Sequence, residues 1–152
     1  MNHFFAADKS LGTLAKWIRI LGYDTTCEPE GSVTVFYARL EDYSILITRS
    51  KKIKKMCGGR HHVFIRSNRL IEQLKQVVGQ IGIGPDDTRP FSRCIHCNIP
   101  IGEVNKNDVY GLVPDYIWET HDEFNRCRQC KRIYWPGSHA ERSREMIDNL
   151  FS

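Results

Sequence analysis

His3-Phe-Phe-Ala-Ala-Asp8-Lys-Ser-Leu-Gly-Thr-Leu-Ala-Lys-Trp-Ile-Arg-Ile-Leu-Gly22 changes its hydrophobic period once, and that change sets the fold. His3 to Ala6 reads as a short strand, and Asp8 falls in the turn after it. An amphipathic helix begins near Ser10, because Leu11, Leu14, Ala15, Trp17, Ile18 and Leu21 recur at helical spacing and Gly22 supplies the stop. Thr25 to Cys27 reads as a second strand. Ser32 to Leu40 is assigned to a crossover helix, although its start is β-branched. Ser44-Ile-Leu-Ile-Thr48 is an apolar run of the kind buried in a parallel sheet, Arg49 to Lys55 reads as a short helix, and His62-Val-Phe-Ile65 repeats the strand signal. Leu70, Leu74, Val77, Val78 and Ile81 mark a further helix. Strands alternating with helices predict an α/β fold with a doubly wound parallel sheet, whose sites lie at the carboxyl ends of the strands. Asp8 and Ser50 fall on that edge.

Gly82 to Pro90 is rich in Gly, Pro and Asp and divides the chain into residues 1–84 and 91–152. The second part carries Cys94-x-x-Cys97 and Cys127-x-x-Cys130, separated by 29 residues. Two thiolate pairs at this spacing complete a tetrahedron for a structural Zn²⁺ in a small zinc ribbon, and such a metal contributes on the order of 10 kcal/mol to a small module. A pair of disulfides would need an oxidising compartment, for which nothing speaks. Cys27 and Cys57 lack ligand-type neighbours and read as free, uncatalytic thiols. The opening residues do not resemble a secretion signal and no stretch is apolar for long enough to span a bilayer, so a soluble, cytoplasmic protein without a membrane partner is expected.

Net charge is only +4, but it is unevenly placed. Arg49, Lys51, Lys52, Lys54, Lys55, Arg60, Arg66 and Arg69 occupy one stretch that contains no acid, whereas Glu103 to Glu123 holds six acids against Lys106. The cationic run suits a polyanion, and Arg49, Lys51, Lys52, Lys54, Lys55 and Arg60 are the candidate phosphate contacts. Trp17, Tyr134 and Trp135 are candidate base platforms, although Trp17, among helical apolar residues, fits a core better, and Tyr134 and Trp135 would also serve to pack the ribbon onto the α/β body. Four cysteines already satisfy the metal, which leaves His96 as an exposed knuckle residue. Ser138 with Glu141 fits a capping box opening a last helix from Ala140 to Leu150, with His139 beside it.

Several stretches in register carry a resemblance: Phe5 to Thr25, Ile45-Leu-Ile-Thr-Arg49, Phe91-Ser-Arg-Cys94-Ile-His-Cys97-Asn98, and Cys127-Arg-Gln-Cys130-Lys-Arg-Ile-Tyr-Trp135-Pro-Gly-Ser-His139. Together they resemble the Mut-7 C-terminal RNase domain family over nearly the whole chain. The resemblance implies a PIN-like α/β sheet with flanking helices, joined to a zinc ribbon, with RNA as substrate class and a carboxylate cluster holding Mg²⁺ or Mn²⁺. Divalent ions neutralise the charge that builds up during phosphodiester hydrolysis and supply hydroxide from bound water. Asp8 matches the first acid of that pattern. Ser50 stands where the pattern has Asp, and Gly31 and Ser32 stand where another acid is expected. Glu30 is the nearest replacement, with Glu28, Glu41 and Asp42 on neighbouring loops. Asp24 reads as a turn residue capping backbone groups. The reading is therefore an RNA-binding member with a depleted acidic centre and weak or no cleavage. The alternatives are an active endoribonuclease using Asp8 and Glu30, and an adaptor that docks a protein partner on its acidic face.

Overall fold

The computed structural model describes residues 3–28, 36–37, 40 and 44–152, apart from the side chains of Ser138 and His139. Four strands, β1 (Phe4–Ala7), β2 (Asp24–Cys27), β3 (Ile45–Thr48) and β4 (His62–Phe64), form a parallel sheet in the order β2-β1-β3-β4. Phe5 lies opposite Ile45 and Ala6 opposite Leu46, so the period of two sorts both strands into the same two faces. Phe5, Ala7, Ile45 and Ile47 face the larger core, against α1 (Gly12–Ile20) and α3 (Leu70–Ile81). Ala6 and Leu46 face the smaller one, which holds Ile53 of α2 (Lys51–Met56) together with Phe36, Tyr37 and Leu40. Helices therefore cover both faces. The expected crossover helix over 32–40 lies largely outside the described residues, within which Phe36 and Tyr37 are helical.

The chain leaves β1 towards β2 and leaves β3 towards β4, so adjacent strands β1 and β3 send their following loops in opposite directions. A crevice opens at such a point in a doubly wound sheet. Asp8 follows β1 there, and Arg49 and Ser50 follow β3.

Leu14, Ala15 and Ile18 bury one face of α1, and Gly22, at φ 102°, ends it. A Cβ on Gly22 would lie 2.6 Å from the Arg89 carbonyl oxygen, because the linker packs here through Arg89 N–H donating to Leu21 O at 2.9 Å. Beyond the linker, β5 (Gly102–Val104), β6 (Phe124–Arg126) and β7 (Ile133–Tyr134) make an antiparallel sheet in that order. With α4 (Asp115–Thr120) they enclose a separate small core of Val109, Val113, Ile117 and Phe124.

The last helix, α5 (Ser138–Phe151), runs back to the first sheet. Leu150 is buried in the larger core, with Met146, Ile147 and Phe151 packed against it. Its N-cap is Gly137 rather than Ser138, which is already helical: Glu141 N–H donates to the Gly137 carbonyl. Among the described residues no helix is long and apolar enough to cross a membrane.

Candidate functional site

The two cysteine pairs fold by the same local rule. Cys94 N–H donates to Ile99 O and Asn98 N–H to Cys94 O; in the second pair, Cys127 N–H donates to Arg132 O and Lys131 N–H to Cys127 O. Asn98 (φ 58°) and Lys131 (φ 65°) sit in the left-handed region that closes each loop. Backbone N–H groups of Cys97 and Cys130 point at the sulfurs of Cys94 and Cys127, at 3.4 and 3.5 Å. β5, which follows the first loop, pairs with β6, which leads into the second, and this brings the loops together; the four sulfurs lie within 4.8 Å of one another with no disulfide formed.

Four thiols this close cannot all ionise without a cation. The Arg132 backbone N–H draws the Cys130 thiol down to about 6. Burial, followed by hydrogen bonds with the other three cysteines, pushes Cys97 up to about 12. The cluster could hold a zinc ion, whose tetrahedral sulfur preference this donor set satisfies. The Tyr134 hydroxyl lies 3.1 Å from Cys94 Sγ. Burial and that sulfur both raise its pKa, so the phenol keeps its proton and donates.

At the strand ends, Asp8 is 4% exposed and accepts four hydrogen bonds. Oδ1 takes the N–H and hydroxyl of Ser10, at 3.2 and 2.5 Å, which caps the 3-10 turn Lys9–Leu11. Oδ2 takes the Thr48 hydroxyl at 2.7 Å and the Arg49 N–H at 3.2 Å. Asp8 thus ties the end of β1 to the end of β3. The Ser50 hydroxyl accepts from Ile53 N–H at 3.4 Å and caps α2. Glu28, 5% exposed, follows β2; one carboxylate oxygen accepts from Lys9 N–H at 3.4 Å and the other, Oε1, is buried without a hydrogen-bond partner. Glu30, Gly31, Ser32, Glu41 and Asp42 lie outside the described residues.

α2 carries Lys51, Lys52, Lys54 and Lys55, all exposed, and Arg49 is exposed beside them. Lys54 stacks over the Phe64 ring at 4.7 Å, and the Arg49 guanidinium donates to Asn68 Oδ1. Arg60 is half-buried. Trp17 packs partly against the larger core, whereas Tyr134 and Trp135 line a cleft beside the ribbon. His96 is exposed.

Asp24 does not sit in a turn. It opens β2, and its Oδ1 accepts from the Asn98 side-chain amide at 2.8 Å, while Asn98 Oδ1 accepts from Thr25 N–H at 3.0 Å. Arg19 adds a third link, donating to Thr25 O and to Ile95 O at 2.9 and 2.7 Å. The first knuckle is therefore fastened to the sheet edge through Asn98. Its only local signal in the sequence is an Asn directly after Cys-x-x-Cys, a residue that tolerates the left-handed conformation.

No curated protein and no solved structure matches the chain. The sequence model of the Mut7-C RNAse domain does match, over residues 3–147 of 152, and the chain belongs to that family.

Proposed function

We propose that this protein is an RNA-binding member of its family that holds single-stranded RNA with weak or no cleavage, and that zinc on Cys94, Cys97, Cys127 and Cys130 keeps its ribbon folded. The observation that carries this reading is the state of the strand-end acid. Both oxygens of Asp8 are spent on Ser10, Thr48 and Arg49, and the hydroxyl of Ser50 is spent on its own helix. These groups fasten loops. The exposed lysines of α2, with Arg49 and Arg60, supply the phosphate contacts. If several of them neutralise phosphates, affinity for a single strand falls with salt at a log-log slope of roughly −0.7 per contact.

A second reading, a Mg²⁺- or Mn²⁺-dependent endoribonuclease, is supported by the unpartnered buried oxygen of Glu28. Asp8 and Glu28 would hold the ion, with Glu28 in the part first given to Glu30; the ion would neutralise phosphate charge and lower the pKa of a bound water.

The test is a labelled single-stranded RNA incubated with the purified protein in Mn²⁺, in Mg²⁺ and without either, with Asp8→Asn and Glu28→Gln in parallel. Salt-sensitive binding without cleavage is the expected result. Divalent-dependent cleavage that both variants lose would replace it with the second reading. Absence of binding and cleavage would direct attention to a protein partner.

A further inference from the structure

A cleft of about 340 Å³ opens between the ribbon and α5, walled by Phe91, Ile95, Tyr134 and Trp135, with Arg93 and Arg144 at its polar positions. Its volume lies within the range of small-ligand sites, roughly 300–1,000 Å³. Phe91 is held at φ 63°, a conformation a bulky side chain rarely adopts, with its N–H donating to Ile20 O at 3.0 Å. The Arg144 guanidinium lies 5.0 Å from the centre of the Phe91 ring. Arg93 donates from Nη1 to Asn98 O at 2.6 Å, while its buried Nε–H has no acceptor. Asn125 and Glu123 also line the cleft and offer an amide and a carboxylate. The adjoining second knuckle carries Arg128, Lys131 and Arg132, all exposed.

We propose that this cleft receives one unstacked base of single-stranded RNA. The base lies among the aromatic walls, Asn125 and Glu123 meet its polar edge, and Arg144 meets the adjoining phosphate. This rests on the RNA-binding reading above and adds a second contact region to the lysines of α2. An aliphatic side chain from a protein partner would fill the apolar space but would bring no anion to Arg144. A nucleotide brings a flat ring for the aromatic walls and an anion for Arg144, and the cations beside the second knuckle suit the rest of the strand.

The experiment compares two labelled oligomers of equal length and charge, one with natural bases and one abasic, binding to the full-length chain over a range of salt. The natural oligomer should bind roughly ten-fold more tightly, as one or more stacked bases require. Trp135→Leu should remove most of that difference. Arg144→Ala, at an exposed helix position, should make the salt slope shallower by about 0.7. Equal binding of the two oligomers with a steep salt slope would overturn the base site and leave the RNA reading standing. A difference that survives Trp135→Leu, or a slope that Arg144→Ala leaves unchanged, would also overturn it. Failure of both oligomers to bind would overturn the RNA reading and this proposal with it.

Discussion

Asp8 accepts a backbone N–H on each of its oxygens, from Ser10 and from Arg49. An asparagine there must aim its NH2 at one of those donors whichever way it turns. Asp8→Asn should therefore cost about 1–3 kcal/mol, the usual penalty for a buried donor left without an acceptor. Urea unfolding should give the same loss with and without Mg²⁺. If Asp8 is instead a metal ligand, Mg²⁺ should stabilise the wild type by mass action and leave the variant unmoved. Gly22 makes a second residue-scale case. Alanine there meets both a positive φ and the Arg89 carbonyl, 2.6 Å from its Cβ. Gly22→Ala should lower stability by at least about 1–3 kcal/mol, measured by thermal melting.

At the scale of the element, α2 sets stability against binding. Lys51 and Lys55 stand one turn apart, as do Lys51 and Lys54, and the helix holds no acid to offset them. Like charges at that spacing each cost a few tenths of a kcal/mol, roughly 0.2–0.5. Replacing all four lysines with glutamine relieves that repulsion but also takes Lys54 off the Phe64 ring, a contact worth about 0.5–1 kcal/mol, so the melting temperature should move little. The same change should make the RNA salt slope shallower by up to about 3, at roughly 0.7 per contact. A slope that stays put would show these lysines to be a solvated face. The run itself was plain in the sequence, as were the sheet strands and α1 and α3, because period and charge are local properties. Ser138 resembles a cap in sequence because Ser and Glu three residues apart also occur inside a first turn, and here Gly137 holds the cap position. The clasp of Asn98 on Asp24 and Thr25 left no periodic trace, since its partners lie 74 and 73 residues away. The state of Asp8 was equally hidden: an acid after a strand looks the same in sequence whether it holds a metal or the next loop.

Over the whole molecule, the cysteine cluster and the parallel sheet are joined at both ends of the ribbon. The first knuckle grips the edge strand through Asn98 and reaches α1 through Arg19, while α5 carries Leu150 from the ribbon into the larger core. The ribbon's own core rests on Val109, Val113, Ile117 and Phe124, with Val104, Trp118, Ile133 and Trp135 packed against them, a small core of the kind that a metal bridging four sulfurs stabilises. Stripping the metal should then do more than loosen the ribbon: it frees β2's edge and the approach of α5, so the sheet should lose stability as well. Calorimetry of the metal-loaded chain should show one transition, which a chelator shifts down. Leu150→Ala, distant from the cysteines in sequence, should shift that same transition by about 2–5 kcal/mol, the cost of a buried leucine truncated to alanine. If the chelator instead splits off a minor transition and leaves the main one in place, residues 1–84 and 91–152 unfold as independent units, and the links through Asn98, Arg19 and α5 carry little of the stability.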